Sequence, residues 1–247
     1  MKLKLNVVAG MNLHSINKES LIQELNNDIN CKKQQYISVT NTEAMYFGSI
    51  DEIHFKYINN ARFSLCDGVG IKLAAKFRGI NISRYHGPDM FLDIIKEGQK
   101  YGWSHYFLGG KNGVGVHLKE ILLSRYPDAN FVGVYSPPFR DLSLDEESHM
   151  IDDINKLKPN FLWVSLGLPK QEKWITKYKN QLDVNFCIGV GAVFDFHTGN
   201  VKRAPLFFQK IGLEWFYRTL FERRLVVRQI RGFKFLLKAV ISNKNRF

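Results

Sequence analysis

Phe161-Leu162-Trp163-Val164-Ser165-Leu166, followed at once by Gly167-Leu168-Pro169-Lys170-Gln171-Glu172, decides the fold class. The first six residues are apolar almost continuously instead of alternating, as expected for a strand covered on both faces in a parallel sheet. A Gly- and Pro-containing turn follows, then a helical opening. Residues 36–40, 63–66, 105–108, 130–134 and 185–190 are short β-branched or aromatic runs of the same kind. Helical spacing fills the intervals. Leu21, Ile22, Leu25 and Ile29 form one stripe, Met90, Phe91, Ile94 and Ile95 a second, and Val116, Leu118, Ile121 and Leu122 a third. Ser143 with Glu146 has the spacing of a capping box, and predicts a helix to about Leu157 that Pro159 closes. Strands alternating with helices predict an α/β fold: a Rossmann-like, doubly wound, mostly parallel sheet.

The 247 residues suit one domain with an appendage and can bury a full core. Composition is that of a globular chain, with 45% hydrophobic and 23% charged residues, which excludes a disordered protein. No apolar run approaches the ~20 residues of a membrane span. The opening Met1-Lys2-Leu3-Lys4-Leu5-Asn6 lacks the apolar core of a secretory signal. Cys31, Cys66 and Cys187 are an odd number without metal-ligand spacing, so a reducing cytoplasm is expected, with neither disulfides nor a zinc site.

The formal charge of +12 is unevenly spread. Residues 1–195 carry 23 basic and 21 acidic side chains, whereas residues 196–247 carry 12 basic and only Glu214 and Glu222. The expected division is therefore a catalytic body, 1–195, and a basic helical C-terminal appendage, 196–247. On a helical wheel Val226, Ile230, Phe233, Leu237, Val240 and Ile241 share one face, and Arg224, Arg228, Arg231 and Lys238 the opposite one. Phe235 falls among the cations, and Gly232 interrupts the run. This is the pattern of an amphipathic helix at an anionic membrane surface. A stripe that packs on the body and leaves the cations solvated is the plainer reading. Nucleic acid is disfavoured, since the aromatics sit among aliphatic residues and form no stacking platform.

In doubly wound sheets ligands sit beyond the carboxyl ends of the strands. The segments there are Thr40-Asn41-Thr42-Glu43, Cys66-Asp67-Gly68-Val69-Gly70, residues 109–115, Tyr135-Ser136-Pro137-Pro138-Phe139, residues 167–172 and residues 189–195. Their wealth of Gly and polar groups predicts one shared cleft. Each has a plainer reading. Asp67-Gly68 suits a helix cap. The 109–115 loop, with Gly109 and Gly110, suits a phosphate at a helix N-terminus, or only a tight turn; its glycine order is not the dinucleotide G-x-G-x-x-G. Gln171 suits a solvated surface. Asp195-Phe196-His197 reads better as a cap or structural hydrogen bond than as a metal pair, and His86 reads as a turn residue. Asp152-Asp153 is not the D-x-D arrangement that clasps a metal-bound diphosphate.

Taken together these turns resemble the WecG/TagA/CpsF family of bacterial glycosyltransferases. The resemblance is carried, in order, by residues 40–43, 66–70, Arg84-Tyr85-His86-Gly87-Pro88-Asp89, 167–172, 194–199, Arg203-Ala204-Pro205 and Gly212-Leu213-Glu214-Trp215-Phe216-Tyr217-Arg218. The family's T-x-N-x-E stands here as Thr40-Asn41-Thr42-Glu43, and its E-P after the tryptophan as Glu222-Arg223. The resemblance implies an inverting enzyme that moves an N-acetylmannosamine-type hexose from a UDP-sugar donor. The acceptor it implies is a sugar on undecaprenyl diphosphate, the setting cell-surface polysaccharide synthesis at the inner face of the membrane. It makes Asp67 the general base and gives substrate contacts to Thr40, Asn41, Gly68, Arg84, Gln171, Glu172 and Asp195. Arg203, Arg218, Arg224 and Arg228 become the cations that close over the site or engage the lipid diphosphate. No cofactor and no metal is expected, and a homo-oligomer stays open. The rival readings are a nucleotide-cofactor oxidoreductase and a non-enzymatic basic adaptor.

Overall fold

The computed structural model describes residues 3–201, 204, 205, 207, 208, 216, 217, 219 and 225–241. Among them eight strands form one sheet: β1 (Lys4–Val8), β2 (Met11–Ser15), β3 (Gln35–Thr40), β4 (Phe63–Cys66), β5 (Ser104–Gly109), β6 (Asn130–Tyr135), β7 (Phe161–Ser165) and β8 (Phe186–Gly189). The spatial order is β1-β2-β4-β3-β8-β7-β5-β6. Every pairing is parallel except β1 with β2. All six strands expected from the sequence are present.

The helices are α1 (Lys18–Asn30), α2 (Thr42–Ile50), α3 (Glu52–Asn59), α4 (Val69–Phe77), α5 (Gly87–Gly98), α6 (Val114–Arg125), α7 (Leu144–Leu157), α8 (Lys170–Tyr178), α9 (Val193–His197) and the C-terminal α10 (Leu225–Ile241). They lie on both sheet faces, as β7 makes plain. Phe161 and Trp163 join the apolar layer under α1, α5, α6 and α9, while Leu162 and Val164 join the layer under α2, α3, α4, α7, α8 and α10. Period-two alternation delivers successive side chains to two dry faces, hence the continuous apolar run. The Ser143–Glu146 capping box forms at the start of α7.

Three particulars differ from the sequence reading. An N-terminal hairpin, β1–β2, turns through Ala9 and Gly10, both at positive φ, and extends the sheet. In α6, Val114 is buried and Val116 exposed, so the stripe starts two residues earlier. On α10 Phe235, placed by the wheel among the cations, is fully buried with Ala239 against the body. Val226, Ile230, Phe233 and Leu237 are instead left uncovered by the body, 43–62% exposed. For these four the plainer reading, in which the stripe packs on the body, does not hold; the side chains of Val240 and Ile241 lie outside the description. Gly232 does not interrupt α10; it brings the helix against Thr42 of α2. The Arg78 guanidinium ties the far end down, donating to the Ala239 carbonyl at 2.8 and 3.0 Å.

Candidate active site

The carboxyl ends of β3, β4, β5, β7 and β8 open into a cleft of about 2180 Å³, with α10 along one wall. Asn41, Gly68, Asp67, Arg84, Gly110, Gln171, Asp195 and Arg228 all line it. The turns expected to converge do so.

Asp67 follows β4 directly and is held on several sides. Its N–H donates to the Thr40 carbonyl at 2.9 Å, and its own carbonyl accepts from Arg84 Nε at 2.8 Å. Its Oδ1 accepts from the Gly87 backbone N–H at 2.9 Å, the first residue of α5. A carboxylate at a helix N-terminus is stabilised by the unpaired N–H groups there. The carboxylate is 20% exposed. The turn is tight: a Cβ on Gly68 would stand 3.1 Å from Thr42 Oγ1, and one on Gly70 2.9 Å from it. The neighbouring Cys66 thiol is pushed up to about 12 by burial, and so is no nucleophile at neutral pH.

Asn41 lines the cleft while its Oδ1 accepts from the Ala44 N–H at 3.0 Å and caps α2. Gln171 is buried rather than solvated. Its Nε2 donates to Glu172 Oε1 at 2.8 Å, and its Oε1 accepts from the Gly191 N–H at 2.9 Å, fixing both ends of the amide. Glu172 itself does not reach the cleft. It is 5% exposed, its Oε2 has no hydrogen-bond partner, and burial pushes its carboxyl up to about 7. Asp195 reaches the cleft from the short α9.

Three of the expected contact residues have partners within the sheet. Thr40 is fully buried, its hydroxyl 2.9 Å from that of Ser38, because the last residue of β3 points into the sheet; Thr42 faces the cleft instead. Gly109 is required by packing, since a Cβ there would lie 2.4 Å from the Ser165 carbonyl oxygen. The Gly110 N–H donates to that same oxygen at 3.0 Å, so this donor is spent within the sheet. Of the C-terminal cations, Arg203, Arg218 and Arg224 lie outside the described residues.

Arg228 reaches back to the body, its Nε 3.0 Å from Glu43 Oε2, and Arg231 Nη1 stands 3.2 Å from Glu43 Oε1. Glu43 is therefore a site-wall residue that sequence reasoning passed over, although it ends the Thr40–Glu43 motif. His86 is another, with Nε2 3.9 Å from Asp67 Oδ1 and Nδ1 3.3 Å from Asp89. The signal for it was its place two residues after Arg84. His197 stacks on Phe91 with ring centroids 5.5 Å apart, and its Nε2 lies 3.4 Å from the Pro88 carbonyl oxygen, a packing role. No group of three potential metal ligands occurs among the described residues.

A family profile described as "Glycosyl transferase WecG/TagA/CpsF family" matches residues 6–247. The chain is also similar to two proteins named N-acetylglucosaminyldiphosphoundecaprenol N-acetyl-beta-D-mannosaminyltransferase. One, from Staphylococcus aureus (strain MRSA252), is 28% identical over 78% of this chain and 74% of its own length. The other, from Bacillus subtilis (strain 168), is 28% identical over 85% of this chain and 80% of its own. Matching motifs, a doubly wound sheet and a cleft at its carboxyl edge agree with one assignment: the chain belongs to the WecG/TagA/CpsF family of glycosyltransferases.

Proposed function

We propose that the chain transfers an N-acetylmannosamine-type hexose from a UDP-sugar to a sugar carried on undecaprenyl diphosphate, with inversion, in cell-surface polysaccharide synthesis. The observation that carries this reading is Asp67, a carboxylate fixed by the Gly87 N–H and lining a cleft whose walls also carry Arg84, Arg228 and Arg231. The names of the staphylococcal and bacillary relatives supply the sugar and the lipid.

Asp67 accepts the proton of the acceptor hydroxyl as its oxygen attacks the anomeric carbon. UDP departs from the opposite face, so configuration inverts. Proton transfer to a positioned base contributes ~10²–10⁴-fold. Fixed cations stabilise the departing diphosphate without reorganising at the moment of reaction. Arg84, Arg228 and Arg231 take that part, and Asn41, Gln171 and Asp195 orient the sugars.

Residues 1–195 are the catalytic body, and residues 196–247 serve docking and closure. No helix among the described residues is long and apolar enough to cross a membrane. The outward stripe of α10 suits the inner face of the cell membrane, where the lipid acceptor is met. Incubation of the full chain with UDP-N-acetylmannosamine and a short-chain lipid-diphosphate acceptor tests the reading; transfer with inverted linkage is expected, and absence of transfer across a panel of UDP-sugars overturns it. UDP, and not NAD, is expected to raise the melting temperature, and the reverse would favour the oxidoreductase.

A further inference from the structure

The outward stripe of α10 does not end at the appendage. Helix α4 belongs to the body and directly follows Asp67, and it packs against α10: a Cβ on Gly70 would stand 3.2 Å from Leu236 Cδ1. Yet α4 leaves Leu73 49% and Phe77 66% exposed. Leu73 lines the cleft with Ile230 and Phe233, so the apolar surface of α4 meets that of α10 at the cleft mouth. A soluble chain gains nothing by exposing Leu, Phe, Val and Ile side by side, and contiguous patches of this kind mark interaction surfaces.

The charge pattern identifies the partner. Residues 69–78 and 225–241 contain seven cations and no Asp or Glu. Arg228 and Arg231 turn to Glu43, and Arg78 to the Ala239 carbonyl. Lys72, Lys76, Lys234 and Lys238 are exposed around the apolar residues. A second copy of the chain would bring like charges together in a self-complementary contact. Nucleic acid would leave the aliphatic side chains without a stacking partner. An anionic bilayer satisfies both components: lysines engage headgroups while apolar side chains enter the acyl boundary.

We propose that α4 is the second half of the membrane-docking surface. The bilayer then contacts the catalytic body itself, at the lip of the cleft between α4 and α10. This rests on the reading of the chain as an enzyme of lipid-linked substrates and adds where the body meets the lipid. The arrangement sets the mouth of the cleft at the bilayer surface, within a few residues of Asp67. A polyprenyl diphosphate enters from the side without leaving the membrane.

The test uses the full chain with phosphatidylglycerol–phosphatidylcholine vesicles and two variants, Phe77→Ser and the double Lys72→Glu/Lys76→Glu. None of these residues lines the cleft. Each variant is expected to lower vesicle partitioning about tenfold or more. Both should keep the wild-type melting temperature and wild-type turnover on a soluble short-chain acceptor, and lose turnover on an acceptor embedded in vesicles. Wild-type partitioning by both variants, with loss only in Phe233→Ser, would overturn the proposal by confining docking to α10. So would a dimer that Phe77→Ser dissolves with vesicle binding unchanged, or capture of the wild-type surface by an oligonucleotide in place of vesicles. Absence of turnover on the soluble acceptor by the wild type tells against the proposed reaction instead, and leaves the partitioning result to be read by itself.

Discussion

Arg228 Nε stands 3.0 Å from the Oε2 of Glu43, a carboxylate only 8% exposed, and Arg231 holds the other oxygen at 3.2 Å. One buried anion at the start of α2 thereby pins two cations of α10 at the cleft wall. Arg231 also lies over the Phe47 ring, 5.2 Å from its centroid, on the same side of α2. Both arginines are more than a third exposed, so the pair sits between the surface and buried limits for ion pairs. Glu43→Gln is expected to cost about 1–3 kcal/mol in urea unfolding. It should also speed tryptic cleavage within Leu225–Ile241. Unchanged stability with unchanged cleavage would show that apolar contacts alone hold α10.

Asp67→Asn separates chemistry from structure at the proposed base. The amide oxygen can still accept the Gly87 N–H, so the turn and α5 should stay in place. What is lost is the capacity to take a proton. Turnover is expected to fall ~10²–10⁴-fold, with the melting temperature and its rise on adding UDP preserved. A folded variant with near-normal turnover would remove Asp67 from the mechanism.

Legibility in the sequence followed burial. Strands β3 to β8 were readable because two dry faces leave an almost unbroken apolar run, whereas β1 exposes Leu5 and Val7 on an edge and gives no such signature. The convergence of the strand-end turns was readable because the doubly wound topology dictates it. Which side of a turn a given residue faces was not. Thr40 and Thr42 are alike in sequence, but Thr40 ends β3 and Thr42 opens α2, and the change of backbone at the Asn41 cap sends the first into the sheet and the second to the cleft. The packing need at Gly109 was hidden, because contact with a carbonyl across the sheet leaves no local trace. Phe235 broke the amphipathic pattern because the body takes Phe235 with Ala239, while Val226, Ile230, Phe233 and Leu237 stay exposed.

Turnover is expected to persist in EDTA. The cations lining the cleft, Arg84, Arg228 and Arg231, can offset the charge that builds on the departing diphosphate. Two of the acidic groups nearby are already engaged, Glu43 by two guanidiniums and Asp67 by the Gly87 N–H. Complete loss of turnover on chelation, restored by magnesium or manganese, would reverse this reading.

Glu172 predicts a pH dependence of stability. Burial raises its carboxyl to about 7 in the folded protein, against an ordinary value of 4.5. Between these values the folded state binds the extra proton, so stability falls as pH rises from about 4.5 to about 7 and is flat above. The cost above pH 7 is on the order of 3 kcal/mol. Glu172→Gln keeps an oxygen for Gln171 Nε2 and carries no charge. It should therefore be more stable than wild type at pH 8 and about equal to it at pH 4.5. Equal melting temperatures at pH 8 would mean that the ionised carboxylate is stabilised in place.

Gly232 tests how closely α10 must approach the body. It sits inside the helix, where glycine costs roughly 0.5–1 kcal/mol relative to alanine. A Cβ built there would meet Thr42 Cβ and Cγ2 at 3.4 Å, an ordinary contact. Alanine should fit, and Gly232→Ala is expected to raise stability by up to about 1 kcal/mol. A larger side chain has no such room, because Thr42 also closes against Gly68 and Gly70 at the Asp67 turn. Gly232→Leu should push α10 away from α2, weaken the Glu43 pairing and lower turnover even with a soluble acceptor. If Gly232→Ala destabilises and Gly232→Leu does not, the Thr42 contact is not what sets the seat of α10.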